Sequence, residues 1–148
     1  MKIDLVATGY IFSGNKVLLA FHGKLNKWLP IGGHIEKNET HDEALKREVK
    51  EETNLEIEIL NRSDISTKGN VNKNLAIPFY VNLHSVGDHC HCSLFYVCRA
   101  VNPNELNINN ELKDYQWLTK DEINKKIIPI DVKNQAIKAF RIFKKLNN

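Results

Sequence analysis

Residues Gly32 to Leu55, GGHIEKNETHDEALKREVKEETNL, constrain this chain more than any other stretch. A glycine pair leads through an acidic loop into a segment of helical periodicity. Thr40, followed three residues later by Glu43, forms a capping box that starts a helix at about His41. Asn54 tolerates the left-handed conformation that closes a helix, so the helix should run to about Thr53. At roughly 100° per residue, Glu48, Glu51 and Glu52 fall on one face, beside the apolar stripe of Leu45 and Val49. Lys46 and Lys50 point away, and only Arg47 is placed to reach Glu51 or the preceding loop. Like charges three and four residues apart repel, and the cost grows near a core edge as the dielectric falls. A divalent cation held by oxygen ligands relieves that repulsion. The plain alternative is a solvated acidic helix face.

Spacing separates the two readings. Gly33, five residues, Glu39, seven residues, then Arg47-Glu48-Val49-Lys50-Glu51-Glu52-Thr53-Asn54-Leu55 resembles the signature of the Nudix hydrolases, MutT-like proteins with the pattern G-x5-E-x7-R-E-U-x-E-E-x-G-U, where U is bulky and aliphatic. The one departure is Asn54, where the family has glycine. The resemblance extends to Trp28-Leu29-Pro30 ahead of the glycines, and to a downstream acidic loop followed by Trp117-Leu118 and an Asp-Glu helix start.

The resemblance implies an α+β fold, an α/β/α sandwich around a mixed β-sheet. It also implies hydrolysis of the pyrophosphate linkage in a nucleoside diphosphate joined to a group X. Mg²⁺ or Mn²⁺ would polarise the phosphoryl oxygens, lower the pKa of water and neutralise the leaving group. On that reading Glu48 and Glu52 are the main metal ligands, with Glu51 close by and the Gly32 carbonyl as a backbone ligand. Arg47 and Glu39 orient the acidic helix against its loop. The general base stays open between Glu48, Glu52 and a later carboxylate, for which Glu111 is the candidate. A nucleoside triphosphate, oxidised bases included, is the first substrate to consider. The alternative is a catalytically inactive nucleotide-binding regulatory module on the same fold; loss of a signature glutamate would favour it, and none is lost.

The remaining chain frames this stretch. Its 148 residues suit one domain, residues 1–148, with one sizeable core. Leu5–Phe12 and Lys16–Phe21 read as a hairpin around Ser13-Gly14-Asn15, and His34–Glu36 as a short strand. Leu55–Leu60, Leu75–Leu83, His89–Val101 and Tyr115–Leu118 read as further strands, with Pro78 marking an edge or bulge. Thr119 caps a short helix, and Asp131 caps a last amphipathic helix that buries Val132, Ala136, Ala139, Phe140 and Phe143. His22, Lys24 and Lys27 lie on a polar stretch able to contact phosphates, though a solvated loop residue is the plainer reading of each.

Other chemistries fit less well. A net charge of +3 is too small to imply stable nucleic-acid binding. No Gly-Lys-Ser/Thr phosphate loop occurs. The longest apolar runs are too short to span a bilayer, and a cytoplasmic setting with reduced cysteines is expected. In His89-Cys90-His91-Cys92 the strand alternation turns histidines and cysteines to opposite faces, so the four cannot converge on one zinc ion; the histidines could reach the substrate side of the sheet. Homodimers are common in proteins with this signature, and the sequence leaves the oligomeric state open.

Overall fold

The computed structural model describes residues 1–147. Its centre is a long parallel pair. β1 (Ile3–Ser13) and β7 (Cys90–Ala100) run side by side from Ile3↔Cys90 to Phe12↔Arg99. β1 turns back at Gly14, whose φ of 59° suits glycine, into β2 (Lys16–His22). β3 (Lys27–Leu29) pairs with β2, and β4 (Ile31–His34) with β1. β5 (Ile57–Ile59) and β6 (Tyr80–Ser85) add to β7, and β8 (Leu112–Leu118) adds to β2. Among the described residues only the β1–β7 pair is parallel, so the eight-stranded sheet is mixed.

Alternation along β1 divides the core in two. Ala7 and Ile11 point to one face and meet Ala44, Leu45 and Val49 of α1 (His41–Thr53). A Cβ on Gly9 would stand 3.4 Å from Leu45 and 3.3 Å from Cys98 Sγ, so the bare backbone lets this helix sit close to the sheet. Tyr10 and Phe12 point to the other face, towards α3 (Ile130–Leu146). There Phe12 stacks on Phe143 at 4.2 Å, and the Tyr10 hydroxyl donates to Gln135 Oε1 at 2.6 Å. The short α2 (Lys120–Lys125) buries Ile123 in this second core. Helices on both faces of a mixed sheet make the α/β/α sandwich of the α+β class.

Several boundaries differ from expectation, and three of them have a clear physical reason. The strand placed at His34–Glu36 is Ile31–His34, drawn back by pairing of Gly33 with Ala7 and Ile31 with Gly9. The strand placed at Leu75–Leu83 starts at Tyr80. Pro78 has no N–H for the ladder, and the Ala76 N–H is taken by the Asp42 carboxylate at 3.2 Å. Asp131 does not cap the last helix; Pro129 holds the N-cap position, leaving Asp131 in the first turn, where its charge opposes the helix dipole.

Candidate active site

The acidic helix is fixed at both ends by its own sequence. At the start, Thr40 Oγ1 accepts from the Glu43 N–H at 3.1 Å, and Glu43 accepts from the Thr40 N–H at 2.9 Å. At the end, Asn54 takes φ 63° and its N–H donates to Lys50 O. Its side chain adds what a glycine could not, donating to Glu105 O at 3.1 Å. The following loop then reaches back to the helix. Asn107 N–H donates to Thr53 O at 2.9 Å and Asn109 N–H to Glu52 O at 3.0 Å. This loop carries Glu111, whose carbonyl accepts from Gly23 N–H at 3.0 Å. Two tethers therefore hold Glu111 between the end of the acidic helix and the β2–β3 turn.

Both glycines are required by space rather than by backbone conformation, since neither has a positive φ. A Cβ on Gly33 would overlap the Glu48 carboxylate, and one on Gly32 would overlap the backbone of Ala7 and Thr8. Glu48 thus lies flat against the glycine strand. Arg47 organises the surrounding loop. Its Nε donates to Glu39 Oε2 at 2.7 Å, its Nη2 to Glu39 Oε1 and to His34 O at 3.0 Å each, and its Nη1 to Glu48 Oε1 at 2.9 Å. The Glu39 carboxyl is held down to about 2, first by its hydrogen bonds with Arg47. Glu51 is the exposed member of the trio, with Oε2 3.5 Å from Arg47 Nη1.

Glu52 is different. It is 6 % exposed, and its Oε2 is buried with no hydrogen-bond partner. Burial, then repulsion from Glu48, Glu111 and Glu51, pushes its carboxyl up to about 8. Glu48 is also raised, chiefly by burial, with Arg47 opposing the shift. A buried anion cluster with an orphaned oxygen is unfavourable unless something positive joins it. Lys50 of the same helix does not, since it pairs with Glu56 at 3.1 Å. All-oxygen donors of this kind suit Mg²⁺ or Mn²⁺, so the residues present fit such an ion.

Beside the carboxylates lies an open cleft of about 440 Å³ lined by His22, Gly23, Lys24, Asn110, Glu111 and Lys113. It unites His22 and Lys24 with Glu111. Lys27 pairs with His22 across the β2–β3 ladder but does not line the cleft. Lys113 was missed in the sequence, where it is one lysine among many; its stem lies 3.1 Å from where a Gly23 Cβ would be, so position alone reveals it. His89 and His91 do not reach the carboxylate side. His91 pairs with Asp4 in a register that turns both to the face of Tyr10 and α3.

The NUDIX domain family model matches residues 3–139. A hydrolase of the NUDIX family from Clostridium perfringens superposes with a TM-score of 0.85 at 30% identity, covering 97% of this chain and 99% of that one. The MutT protein from Methanosarcina mazei Go1 gives 0.71 at 16% identity, covering 99% and 96%. A UDP-X diphosphatase gives 0.68 at 14% identity, covering 100% of this chain and 66% of that one. The latter two support the fold alone. No curated protein matches. Nudix hydrolases act on pyrophosphate bonds, bind small nucleotide substrates and generally use divalent metals, in keeping with the carboxylates and the basic cleft. With the family model spanning nearly the whole chain, and a 30%-identical structure aligned almost end to end, this protein belongs to the Nudix hydrolase family.

Proposed function

We propose that the chain, as one domain, is a Mg²⁺-dependent nucleotide pyrophosphohydrolase, with Mn²⁺ as a substitute and a nucleoside triphosphate as first substrate. The observation that carries this reading is the orphaned, buried Glu52 oxygen beside Glu48. Glu48 and Glu52 would hold the metal with the Gly32 carbonyl, and Glu51 stands at the rim. When bound, the ion supplies Lewis-acid polarisation of the phosphoryl group and relieves the carboxylate repulsion. Arg47 positions the helix by gripping Glu39 and the His34 carbonyl. Lys24, Lys113 and His22 line the cleft where phosphates would lie. Glu111, tethered at Asn109 and Gly23, is one candidate to take the proton from water, and Glu48 and Glu52 are the other two.

Two accompanying readings rest on features outside the carboxylate site. Ile3, Leu5, Val81 and Leu83 are each about half exposed and share one sheet face through Leu5↔Cys92↔Leu83, which supports a homodimer. Cys90, Cys92 and Cys98 are free thiols, in keeping with a cytoplasmic setting. Among the described residues no helix is long and apolar enough to cross a membrane.

The test is a panel of nucleoside triphosphates and nucleoside diphosphate conjugates with Mg²⁺ or Mn²⁺, with products identified. Metal-dependent release of pyrophosphate or phosphate, abolished in Glu52→Gln, supports the reading. Nucleotide binding without turnover across the panel would instead identify a regulatory module.

A further inference from the structure

A second group of metal-ligating side chains lies on the opposite face of the sheet. Three strands build it. Asp4 of β1 pairs with His91 of β7, and Val6, two residues on from Asp4, pairs with His34 of β4. His89 precedes His91 by two residues and shares its side. One donor atom from each of Asp4, His34, His89 and His91 lies within 4.8 Å of the other three. This is the face of Tyr10 and α3, whereas Gly33, the neighbour of His34, turns to Glu48 on the other. The two sites are therefore separate and back to back across β4.

We propose that Asp4, His34, His89 and His91 form a binding site for one Zn²⁺-class transition-metal ion, distinct from the carboxylate site. Its donor set is three imidazoles and a carboxylate, which suits zinc and its neighbours and not Mg²⁺. The spacing agrees. Zinc bonds of about 2.0–2.1 Å set tetrahedral donor–donor edges of roughly 3.4 Å. His34 Nε2 and His89 Nε2 each lie 3.4 Å from Asp4 Oδ2. The wider pairs close by small side-chain rotations, which the partial exposure of His34 and His89 permits.

An outer contact points the same way. His89 Nδ1 lies 2.8 Å from Asp88 Oδ1. An imidazole that donates from Nδ1 to a carboxylate leaves its Nε2 lone pair free for a metal, a common arrangement behind histidine ligands. The ring of His91 is surrounded by those of His34, His84 and His89 at 5.0, 5.4 and 5.2 Å, so imidazoles carried by neighbouring strands converge on this one spot. The sequence conceals this site because its ligands come from three strands. The His-Cys-His-Cys run supplies only its two histidines, while Cys90 is buried towards the opposite face.

The test uses untagged, chelator-stripped full-length protein. Zn²⁺ is titrated calorimetrically in the presence of excess Mg²⁺, and Co²⁺ is added as a spectroscopic substitute whose visible bands report coordination. One site per chain is expected, with unchanged affinity in Glu52→Gln and at least a ten-fold loss in His91→Ala and, separately, in the more exposed His34→Gln. Both variants should keep the wild-type circular dichroism spectrum. Absence of stoichiometric Zn²⁺ binding, or binding lost in Glu52→Gln and retained in both histidine variants, overturns the proposal. Neither result bears on hydrolysis, so this inference and the proposed activity fail independently.

Discussion

Replacing Glu52 by glutamine should stabilise the metal-free protein while removing its activity. The native carboxyl is pushed up to about 8, mainly by burial, against about 4.3 in an unfolded chain. Below about pH 4 both states hold the proton and the group has no effect on stability. As pH rises further the unfolded chain releases it, while the native state must keep it or bear a buried charge. The native state then binds more protons, so stability falls with rising pH. Each unit costs about 1.4 kcal/mol, which gives roughly 3.5–4 kcal/mol by pH 7. Glutamine lacks this term, and its amide needs much the same partners at every pH, so the slope is the diagnostic. The gap between variant and wild type should widen by about 2–3 kcal/mol from pH 5 to 7, or roughly 4–12 °C in melting temperature for a domain of this size. Thermal melts in EDTA measure it. Saturating Mg²⁺ should raise the wild type by about 3 kcal/mol at a hundred times its Kd and leave the variant nearly unmoved. Parallel melting-temperature curves for the two proteins in EDTA across pH 5–7 would refute the claim that Glu52 is a strained buried acid.

Four further outcomes follow from contacts in the same site. Gly33→Ala drives a methyl into the Glu48 carboxylate and should cost about 1–3 kcal/mol, with a marked fall in kcat, measured by chemical denaturation and steady-state assay. Arg47→Lys keeps the charge but loses the fork that joins Glu39, Glu48 and the His34 carbonyl; a loss of about 1–3 kcal/mol is expected, with weaker Mg²⁺ binding by calorimetry. Asn54→Gly relaxes the positive φ but removes the bond to Glu105 O, so stability should change by less than about 1 kcal/mol. Asn54→Ala loses both and should cost about 1–2 kcal/mol. Comparing kcat for the two Asn54 variants tests whether that bond also positions Glu111.

The acidic helix was legible to the residue because its signals are local. The Thr40–Glu43 box, the Asn54 cap and the i,i+4 geometry all act within a few residues of chain. One boundary failed because a distant group intervened, another because a near neighbour took the cap position. Leu75–Leu83 has the composition of a strand, but Asp42 removes the Ala76 donor from the ladder, and nothing near Ala76 in sequence announces it. Asp131 looked like a cap because aspartate favours that position, yet Ile130 already lies inside the helix behind Pro129.

The site divides along the same line. Glu48, Glu51 and Glu52 lie on one helix, and their shared face follows from residue spacing alone. Glu111 was a candidate only by its rough distance from Trp117; what places it is a set of backbone bonds from an asparagine-rich loop to the end of α1 and to Gly23. That loop also explains the departure from the family pattern. A glycine at residue 54 would close the helix equally well, but its lack of a side chain would remove one of the ties that hold the loop. Asparagine here serves the left-handed cap and the loop together, so the substitution is better read as a coupling between helix end and Glu111 than as erosion of the signature. The histidine cluster is the extreme case: the β1–β7 and β1–β4 registers alone bring Asp4, His34 and His91 together, and a one-residue slip of either would send the side chains to opposite faces.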